Sequence, residues 1–337
     1  MQYRKLGTTG VSVSELCLGT MMFGAATDAA QSISIVHRAL DAGLNLIDCA
    51  NTYGAKGGAE SIVGKALAGK RDGVVLTTKF REVMGPGPND SGASRYHLVQ
   101  ALEASLKRLR TDRIDIYFYH KPDYATPIEE TLRALEDCVR AGKVLYLGCS
   151  NFYAWQVMEG IAASRMRQLS EFVCAQPVYN IVNRDAELEL LPLCQKYGLG
   201  VVCYSPLARG VLSGKYRPGM PPPAGSRAAR GDRRIQQTEL REESFHVAEQ
   251  LRPLAEAHGK TLSQFALGWV LANRSVTSVI VGPRTMEQLE DNLGATGWAL
   301  TVEDEKRIDA LVPRGEHTGK GYNDPQYPVR GRVVECG

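Results

Sequence analysis

The sequence predicts an α/β fold in which eight parallel strands, each followed by a helix, close into a (β/α)8 barrel. Eight short apolar runs alternate with segments of helical period along the chain, which is typical of a parallel sheet built from βα units. A doubly wound open sheet is the alternative, but it would carry a Gly-x-Gly-x-x-Gly turn after its first strand. Leu18-Gly-Thr-Met-Met-Phe-Gly24 lacks that turn, so the closed barrel is favoured.

The apolar runs give the predicted strands, which are Glu15–Leu18, Leu44–Asp48, Val74–Thr78, Ile114–Tyr119, Val144–Cys149, Phe172–Gln176, Gly200–Tyr204 and Ser278–Val281. Segments with apolar residues at i, i+3 and i+4 predict the helices, at 32–41, 59–68, 94–109, 127–141, 153–164, 185–197, 243–258 or 261–272, and 285–294. Each predicted strand is therefore paired with a helix, as a barrel requires.

Three segments lie outside these eight units. Residues 1–13 predict an N-terminal β-hairpin, with its turn near Gly10. Residues 216–236, after the seventh strand, are rich in Pro, Gly and Arg, and we expect neither a helix nor a central strand there. A polar tail, 313–337, is expected near the mouth of the barrel. Residues 1–337 are predicted to form a single domain, since such barrels are large folding units.

Composition excludes several classes of protein. Of the 337 residues, 44% are hydrophobic and 23% are charged, which excludes a disordered chain or a coiled coil. A formal charge of +3 with no basic stripe argues against nucleic acid as a partner. No apolar run reaches eighteen residues and no signal-peptide core follows Met1, so we expect a cytoplasmic protein without a membrane partner.

Eight cysteines are scattered singly, without CxxC pairs or zinc-ligand spacing. We expect them to be reduced and mostly buried, and we expect no metal site. They are Cys17, Cys49, Cys138, Cys149, Cys174, Cys194, Cys203 and Cys336.

Polar residues suited to carbonyl chemistry lie at the ends of three successive strands. Asp48 and Tyr53 follow the second strand, Lys79 the third and His120 the fourth, so all four would converge on one mouth of the barrel. We expect the Lys79 ammonium to lower the pKa of the Tyr53 phenol and make it an acid near neutral pH, with Asp48 holding the ammonium. His120 would hydrogen-bond the carbonyl and orient it. Each residue alone fits a cap, a solvated charge or a packing ring, but their coincidence favours chemistry.

These residues resemble a known family. Gly43-Leu-Asn-Leu-Ile-Asp48-Cys-Ala-Asn-Thr-Tyr53-Gly54 resembles the signature of the aldo-keto reductase superfamily, whose Asp, Tyr, Lys and His tetrad matches Asp48, Tyr53, Lys79 and His120. Cys49 stands where the family often has Thr. The resemblance spans residues 3 to 312. The strings 84–92 and 120–123 look most like bacterial reductases close to the potassium-channel beta subunits.

The resemblance implies a TIM barrel that binds NADPH or NADP⁺ in extended form. Ser150, Asn151 and Gln176 suit the nicotinamide carboxamide, and Tyr204 offers a ring for stacking. The loop 205–215 would run under the pyrophosphate and residues 282–292 would place a helix start at a phosphate, although each also fits an ordinary loop or helix start. The implied contacts are Gly19, Thr20, Met21, Asp48, Ser150, Asn151, Gln176, Tyr204, Ser205, Pro206, Leu207, Ser213, Gly214, Lys215, Gly282, Arg284, Gln288 and Asn292.

Arg284 favours NADP over NAD, because a guanidinium at a helix start can form paired hydrogen bonds with two oxygens of the 2′-phosphate. No second cation lies beside it along the chain, so NADH remains the alternative. Four arginines of the 216–236 loop could help attract an anionic cofactor, but they fit a solvated, mobile lid better and are not expected to be ligands; they are Arg227, Arg230, Arg233 and Arg234. The loop would then cover the cofactor.

The leading hypothesis is therefore NADPH-dependent reduction of a small aldehyde or ketone. A cofactor-binding regulatory subunit with little turnover is the alternative, since some members of the family that the sequence resembles are subunits of ion channels. A metal-dependent hydrolase would need more ligands at the strand ends than Asp48 and His120. The substrate pocket is predicted from Met22, Phe23, Tyr119 or its neighbours, Lys121 and the tail around Tyr322 and Tyr327. Such a mixture of aromatic and polar side chains suits many carbonyl compounds, and the sequence indicates no oligomeric state.

Overall fold

The computed structural model describes residues 1–319 and 324–327. Eight parallel strands form a closed barrel in the order β10-β3-β4-β5-β6-β7-β8-β9, which confirms the predicted architecture. The strands are β3 (Leu16–Gly19), β4 (Leu46–Asp48), β5 (Val75–Phe80), β6 (Ile114–Tyr119), β7 (Val144–Ser150), β8 (Phe172–Gln176), β9 (Gly200–Cys203) and β10 (Ser278–Val281).

An antiparallel hairpin of β1 (Tyr3–Lys5) and β2 (Ser12–Ser14) precedes the barrel, as predicted. Leu6 and Val13 of this hairpin are fully buried and pack with the inward side chains of the strands, among them Leu46, Ile116 and Phe118. The hairpin therefore covers one end of the barrel interior and supports its apolar core.

Helices surround the barrel and bury their apolar faces against the strands. They are α1 (Ala29–Asp41), α2 (Tyr53–Ala66), α3 (Arg95–Leu109), α4 (Ile128–Arg140), α5 (Ala154–Arg167), α6 (Leu190–Tyr197), α7 (Arg233–Gln237), α8 (Glu242–Ala257), α9 (Leu262–Ala272), α10 (Met286–Leu293) and α11 (Val302–Leu311). A larger apolar cluster between helices and strands forms the main core.

Some predicted boundaries differ from the structure. The stretches 243–258 and 261–272, treated as alternatives, are both helical, and α11 was not predicted. The prediction that 216–236 holds no helix was wrong at its end, since α7 begins at Arg233. Asp232 explains this start, because its side chain accepts hydrogen bonds from the free backbone N–H groups of Arg234 and Ile235.

The cysteine prediction is confirmed for the described residues. The seven cysteines from Cys17 to Cys203 are free and buried, and Cys336 lies outside the described residues. Within the described chain, no helix is long and apolar enough to cross a membrane.

Candidate active site

The C-terminal ends of the barrel strands open into a cleft of about 670 Å³. Asp48, Tyr53 and His120 line it, as do all the predicted cofactor contacts except Gly214. Lys79 does not line the cleft, because it is fully buried beneath it. The structure thus brings together residues from strands β3 to β10 that are far apart in sequence.

Lys79 and Asp48 form a buried ion pair at the floor of this cleft. Lys79 Nζ lies 2.7 Å from both carboxylate oxygens of Asp48 and donates to the Cys49 carbonyl at 2.6 Å. Asp48 Oδ1 also accepts hydrogen bonds from Thr77 Oγ1 and Gln176 Nε2, each at 2.9 Å. Burial disfavours the ammonium, but Asp48 and Tyr53 outweigh it and raise the pKa of Lys79 above its usual value. Lys79 therefore remains charged at neutral pH.

Tyr53 lies directly above this ion pair. Lys79 Nζ is 5.1 Å from the centroid of the Tyr53 ring. Burial raises the pKa of the Tyr53 phenol above its usual value, and the nearby Lys79 charge lowers it only in part. The prediction that Lys79 lowers the pKa of this phenol below its usual value was therefore wrong, because desolvation exceeds the charge effect. The phenol stays protonated at neutral pH, which is the form a proton donor needs.

The backbone directly after Tyr53 is unusual. Gly54, Ala55 and Lys56 have φ of 62°, 58° and 63° and ψ of 55°, 56° and 60°, and Gly57 follows at φ 107°. They form a left-handed turn before α2 becomes a regular helix. For Ala55 and Lys56 this conformation costs about 1–2 kcal/mol per residue, so the surrounding structure must hold it.

His120 faces Tyr53 across the cleft. The two ring centroids are 6.2 Å apart and the planes are at 80°. Burial lowers the pKa of His120 well below its usual value, and the charges of Lys79, Lys121 and Arg81 lower it further. The imidazole is therefore neutral at physiological pH. Its Nδ1 is buried and has no hydrogen-bond partner among the described residues.

A hydrogen-bonded network lies in the wall of the cleft beside His120. Tyr204 OH donates to Asn151 Oδ1 at 2.7 Å, and Asn151 Nδ2 donates to Ser150 Oγ at 3.0 Å and to the His120 carbonyl at 2.8 Å. Ser150 Oγ in turn donates to the Gln176 carbonyl at 2.8 Å. The predicted nicotinamide contacts thus form one connected, fixed group beside His120.

Cations gather at the far end of the cleft. Burial, together with the charges of Arg284, Arg227 and Arg230, lowers the pKa of Lys215 to about 8. Within the described part of the chain no carboxylate pairs with Lys215. Gly210 permits the arrangement, since a Cβ there would lie 2.5 Å from Lys215 Nζ. As the sequence shows, no cation lies next to Arg284 along the chain. In the folded protein, however, cations of another loop lie close to it.

Arg284 lies just before α10. Its backbone N–H donates to Gln288 Oε1 at 2.8 Å, and its Nη1 donates to the Gly225 carbonyl at 3.1 Å. Thr285 caps the helix by accepting a hydrogen bond from the Gln288 backbone N–H. The guanidinium is thus held at a helix start that favours anions.

The substrate side of the cleft is more polar than predicted. Met22, Lys121 and Tyr327 line it as expected, whereas Phe23 and Tyr119 are 0% and 1% exposed and belong to the core. Tyr119 stacks on Phe80 with ring centroids 5.1 Å apart, which turns it away from the cleft. Tyr322 lies outside the described residues.

Sequence reasoning missed several residues of the cleft. Glu82 lines it and pairs with Lys121 at 2.9 Å; its place just after β5 was a usable signal, since polar residues at strand ends were the criterion for the others. Arg227 and Arg234 of the 216–236 loop also line the cleft, contrary to a fully solvated loop. Arg234 forms a bidentate pair with Asp324 at 2.9 and 2.7 Å, and no sequence signal predicted that contact.

Comparison with known proteins agrees with this geometry. The aldo/keto reductase family profile matches residues 15–313. The chain belongs to the aldo/keto reductase family. It is 41% identical over 333 residues to the uncharacterized oxidoreductase YrpG of Bacillus subtilis, covering 96% of this chain and 99% of that protein.

Two plant relatives of this aldo/keto reductase carry a different name. A probable voltage-gated potassium channel subunit beta of Oryza sativa is 38% identical over 93% of this chain and 97% of its own length. A protein of the same name from Arabidopsis thaliana is 39% identical over 88% of this chain and 91% of its own length.

Within residues 1–319 and 324–327, no three His, Cys, Asp or Glu side chains form a group that could hold a metal ion.

Proposed function

We propose that this aldo/keto reductase catalyses the NADPH-dependent reduction of an aldehyde or ketone to an alcohol, with Tyr53 as the general acid. The observation that carries the proposal is the buried Lys79–Asp48 pair directly beneath the Tyr53 ring at the floor of an open cleft. A protonated phenol above a fixed positive charge can give up its proton, because the charge stabilises the phenolate that forms.

The four residues of the tetrad have different roles in this reaction. NADPH, when bound in the cleft, would supply the hydride for the carbonyl carbon. Tyr53 gives its phenolic proton to the carbonyl oxygen, and the Lys79 ammonium, held by Asp48, stabilises the resulting phenolate. Neutral His120 donates a hydrogen bond to the same oxygen and orients the carbonyl. The test is consumption of NADPH with a simple aldehyde such as 4-nitrobenzaldehyde, with the alcohol identified as product.

The distribution of charge in the cleft supports NADPH as the proposed cofactor. Lys215, Arg284 and Arg227 lie close together. Arg227 pairs with Asp232 at 3.3 Å, but among the described residues no carboxylate pairs with Lys215 or Arg284, so the protein favours an anion at this end. The network of Tyr204, Asn151 and Ser150 offers a ring and amide groups at the other end, next to His120. We infer that the 2′-phosphate binds near Arg284 and the nicotinamide near Tyr204.

Replacing Arg284 by Ala is expected to weaken NADP⁺ binding by about one to two powers of ten, since a charge-assisted contact contributes about 1.5–3 kcal/mol. NAD⁺ lacks the 2′-phosphate, so its affinity should stay unchanged. Dissociation constants for both cofactors, measured by fluorescence titration of the parent and the variant, check this. An unchanged NADP⁺ affinity would reject the contact.

Replacing His120 by Ala is expected to lower kcat for ketone reduction while NADPH affinity changes little, since the imidazole faces substrate and not the dinucleotide. Because the pKa of His120 lies well below its usual value, the parent should show no loss of kcat from protonation of His120 as pH falls from 8 to 6.5. A pH profile of kcat and a binding titration test both points. Equal loss of NADPH binding would show that His120 has a different role.

A regulatory, cofactor-binding subunit with little turnover is the second candidate function. The observation that favours it is the likeness to the two plant proteins named as potassium channel subunits. The assay with 4-nitrobenzaldehyde separates the two, because a regulatory subunit would bind NADPH tightly without consuming it. The cytoplasmic location and the single-domain organisation of residues 1–337 remain predictions.

A further inference from the structure

A partly buried ion pair between Arg108 and Glu60 lies against the left-handed turn that follows Tyr53. Arg108 of α3 lies against Gly57, where an added Cβ would be 2.5 Å from both Cδ and Nε of the arginine. Arg108 Nε donates to Glu60 Oε2 at 2.6 Å, and Glu60 is fully buried. The guanidinium therefore occupies the space that a side chain at residue 57 would need, and Glu60 fixes it there.

The same carboxylate also reaches the strand that carries Lys79. Glu60 Oε1 accepts a hydrogen bond from Thr78 Oγ1 at 2.5 Å, and Thr78 immediately precedes Lys79 in β5. Glu60 thus links the turn after Tyr53, through Arg108, to the residue that precedes Lys79 in β5.

Other contacts also involve this turn, and one of them is the hydrogen bond that Ser61 Oγ donates to the Gly57 carbonyl at 3.1 Å. Inside it, the Lys56 N–H donates to the Thr52 carbonyl at 3.2 Å. Gly54 is required where it stands, since a Cβ there would lie 2.3 Å from the Phe23 carbonyl oxygen. Consecutive left-handed residues are disfavoured for L-amino acids and persist only where neighbouring groups over-determine them. The Arg108–Glu60 pair lies where such a constraint is needed.

We propose that Arg108 and Glu60 are positioning residues that keep the Tyr53 phenol in its place above the Lys79 ammonium. Neither touches substrate or cofactor; both act through the turn 54–57 and through Thr78. This role rests on the proposed function, since it requires Tyr53 to be the proton donor. It differs from a purely structural ion pair, which would affect the stability of the fold and leave kcat unchanged.

The chain offers a matched control pair. Arg71 Nη1 lies 2.9 Å from Asp115 Oδ2, and their side chains are 15% and 11% exposed. Asp115 also accepts a hydrogen bond from the Leu76 backbone N–H at 2.7 Å, near the start of β5. This pair is partly buried and, like Glu60, its carboxylate accepts a hydrogen bond from a residue of β5, but neither residue lines the cleft.

The experiment compares Glu60→Gln, Arg108→Lys and the control Asp115→Asn in the full-length protein. Glu60→Gln places an amide against the guanidinium and should lower kcat at least tenfold, with KM and NADPH affinity within twofold. Arg108→Lys keeps the positive charge next to Glu60 and should retain most of the parental kcat. Asp115→Asn should lower the Tm and leave kcat within twofold. Hydrogen exchange over residues 53–62, which needs no turnover, should be faster in Glu60→Gln than in Asp115→Asn.

Two neighbouring glycines provide a second test if Glu60→Gln does not fold. Gly57→Ala places a Cβ against the guanidinium at a residue whose φ is 107°, so it disturbs both the pair and the turn and should lower kcat as Glu60→Gln does. Gly58 has no atom within 4 Å of an added Cβ among the described residues, so Gly58→Ala should keep near-normal kcat. A folded Glu60→Gln or Gly57→Ala enzyme with parental kcat and parental exchange over 53–62 overturns the positioning role. If Tyr53→Phe reduces carbonyls at the parental rate, the proposed function fails instead.

Discussion

Tyr53→Phe is expected to reduce the rate of carbonyl reduction by about a hundredfold or more, because general acid catalysis contributes on the order of 10²–10⁴-fold. The change keeps the aromatic ring over Lys79 and removes only the hydroxyl, so the packing of the cleft floor stays close to that of the parent. NADPH should still bind with near-parental affinity. Steady-state kinetics with an aldehyde substrate and a fluorescence titration of NADPH give the two quantities.

Tyr117→Phe is the matched control for that variant. The Tyr117 ring is fully buried in β6, and its hydroxyl has no hydrogen-bond partner among the described residues. Removing it deletes the same atom outside the cleft and should leave kcat unchanged. If Tyr53→Phe kept a rate within threefold of the parent while its Tm matched that of Tyr117→Phe, Tyr53 would not be the acid.

Asp48→Asn is expected to destabilise the protein by about 3–5 kcal/mol, since it leaves the Lys79 ammonium buried without its counter-charge. The carboxylate accepts hydrogen bonds from Lys79, Thr77 and Gln176, and an amide cannot accept all of them. Reduction should slow as well, because the ammonium is no longer held beneath the phenol. Denaturant unfolding gives the free energy of unfolding, and kinetics at a temperature well below the Tm give the rate.

The double variant Asp48→Asn, Lys79→Met separates charge from geometry. Removing both charges should restore much of the stability that Asp48→Asn alone loses, while activity stays low because no cation remains to stabilise the phenolate. The difference between the single and double variants is the coupling energy of the pair. An Asp48→Asn protein as stable as the parent would contradict a buried, mutually dependent ion pair.

The barrel and its tetrad were predictable from local patterns. An apolar run such as Ile114–Tyr119 and the helical period of 94–109 each arise from neighbouring residues, so the strand and the helix could be placed before any contact was known. Since the ends of parallel strands meet at one face of a barrel, the positions of Asp48, Lys79 and His120 at strand ends also predicted their convergence.

Tertiary structure alone decided the electrostatics and the packing around that tetrad. Whether the pKa of Tyr53 rises or falls depends on how far burial outweighs the Lys79 charge, and burial is a property of the assembled cleft. Lys215 and Arg284 are far apart along the chain and meet only when the loop after β9 lies beside the start of α10. The Arg108–Glu60 pair likewise joins α3 to α2. A sequence pattern records periodicity within each element, whereas these interactions depend on distances between elements, which the folded barrel sets.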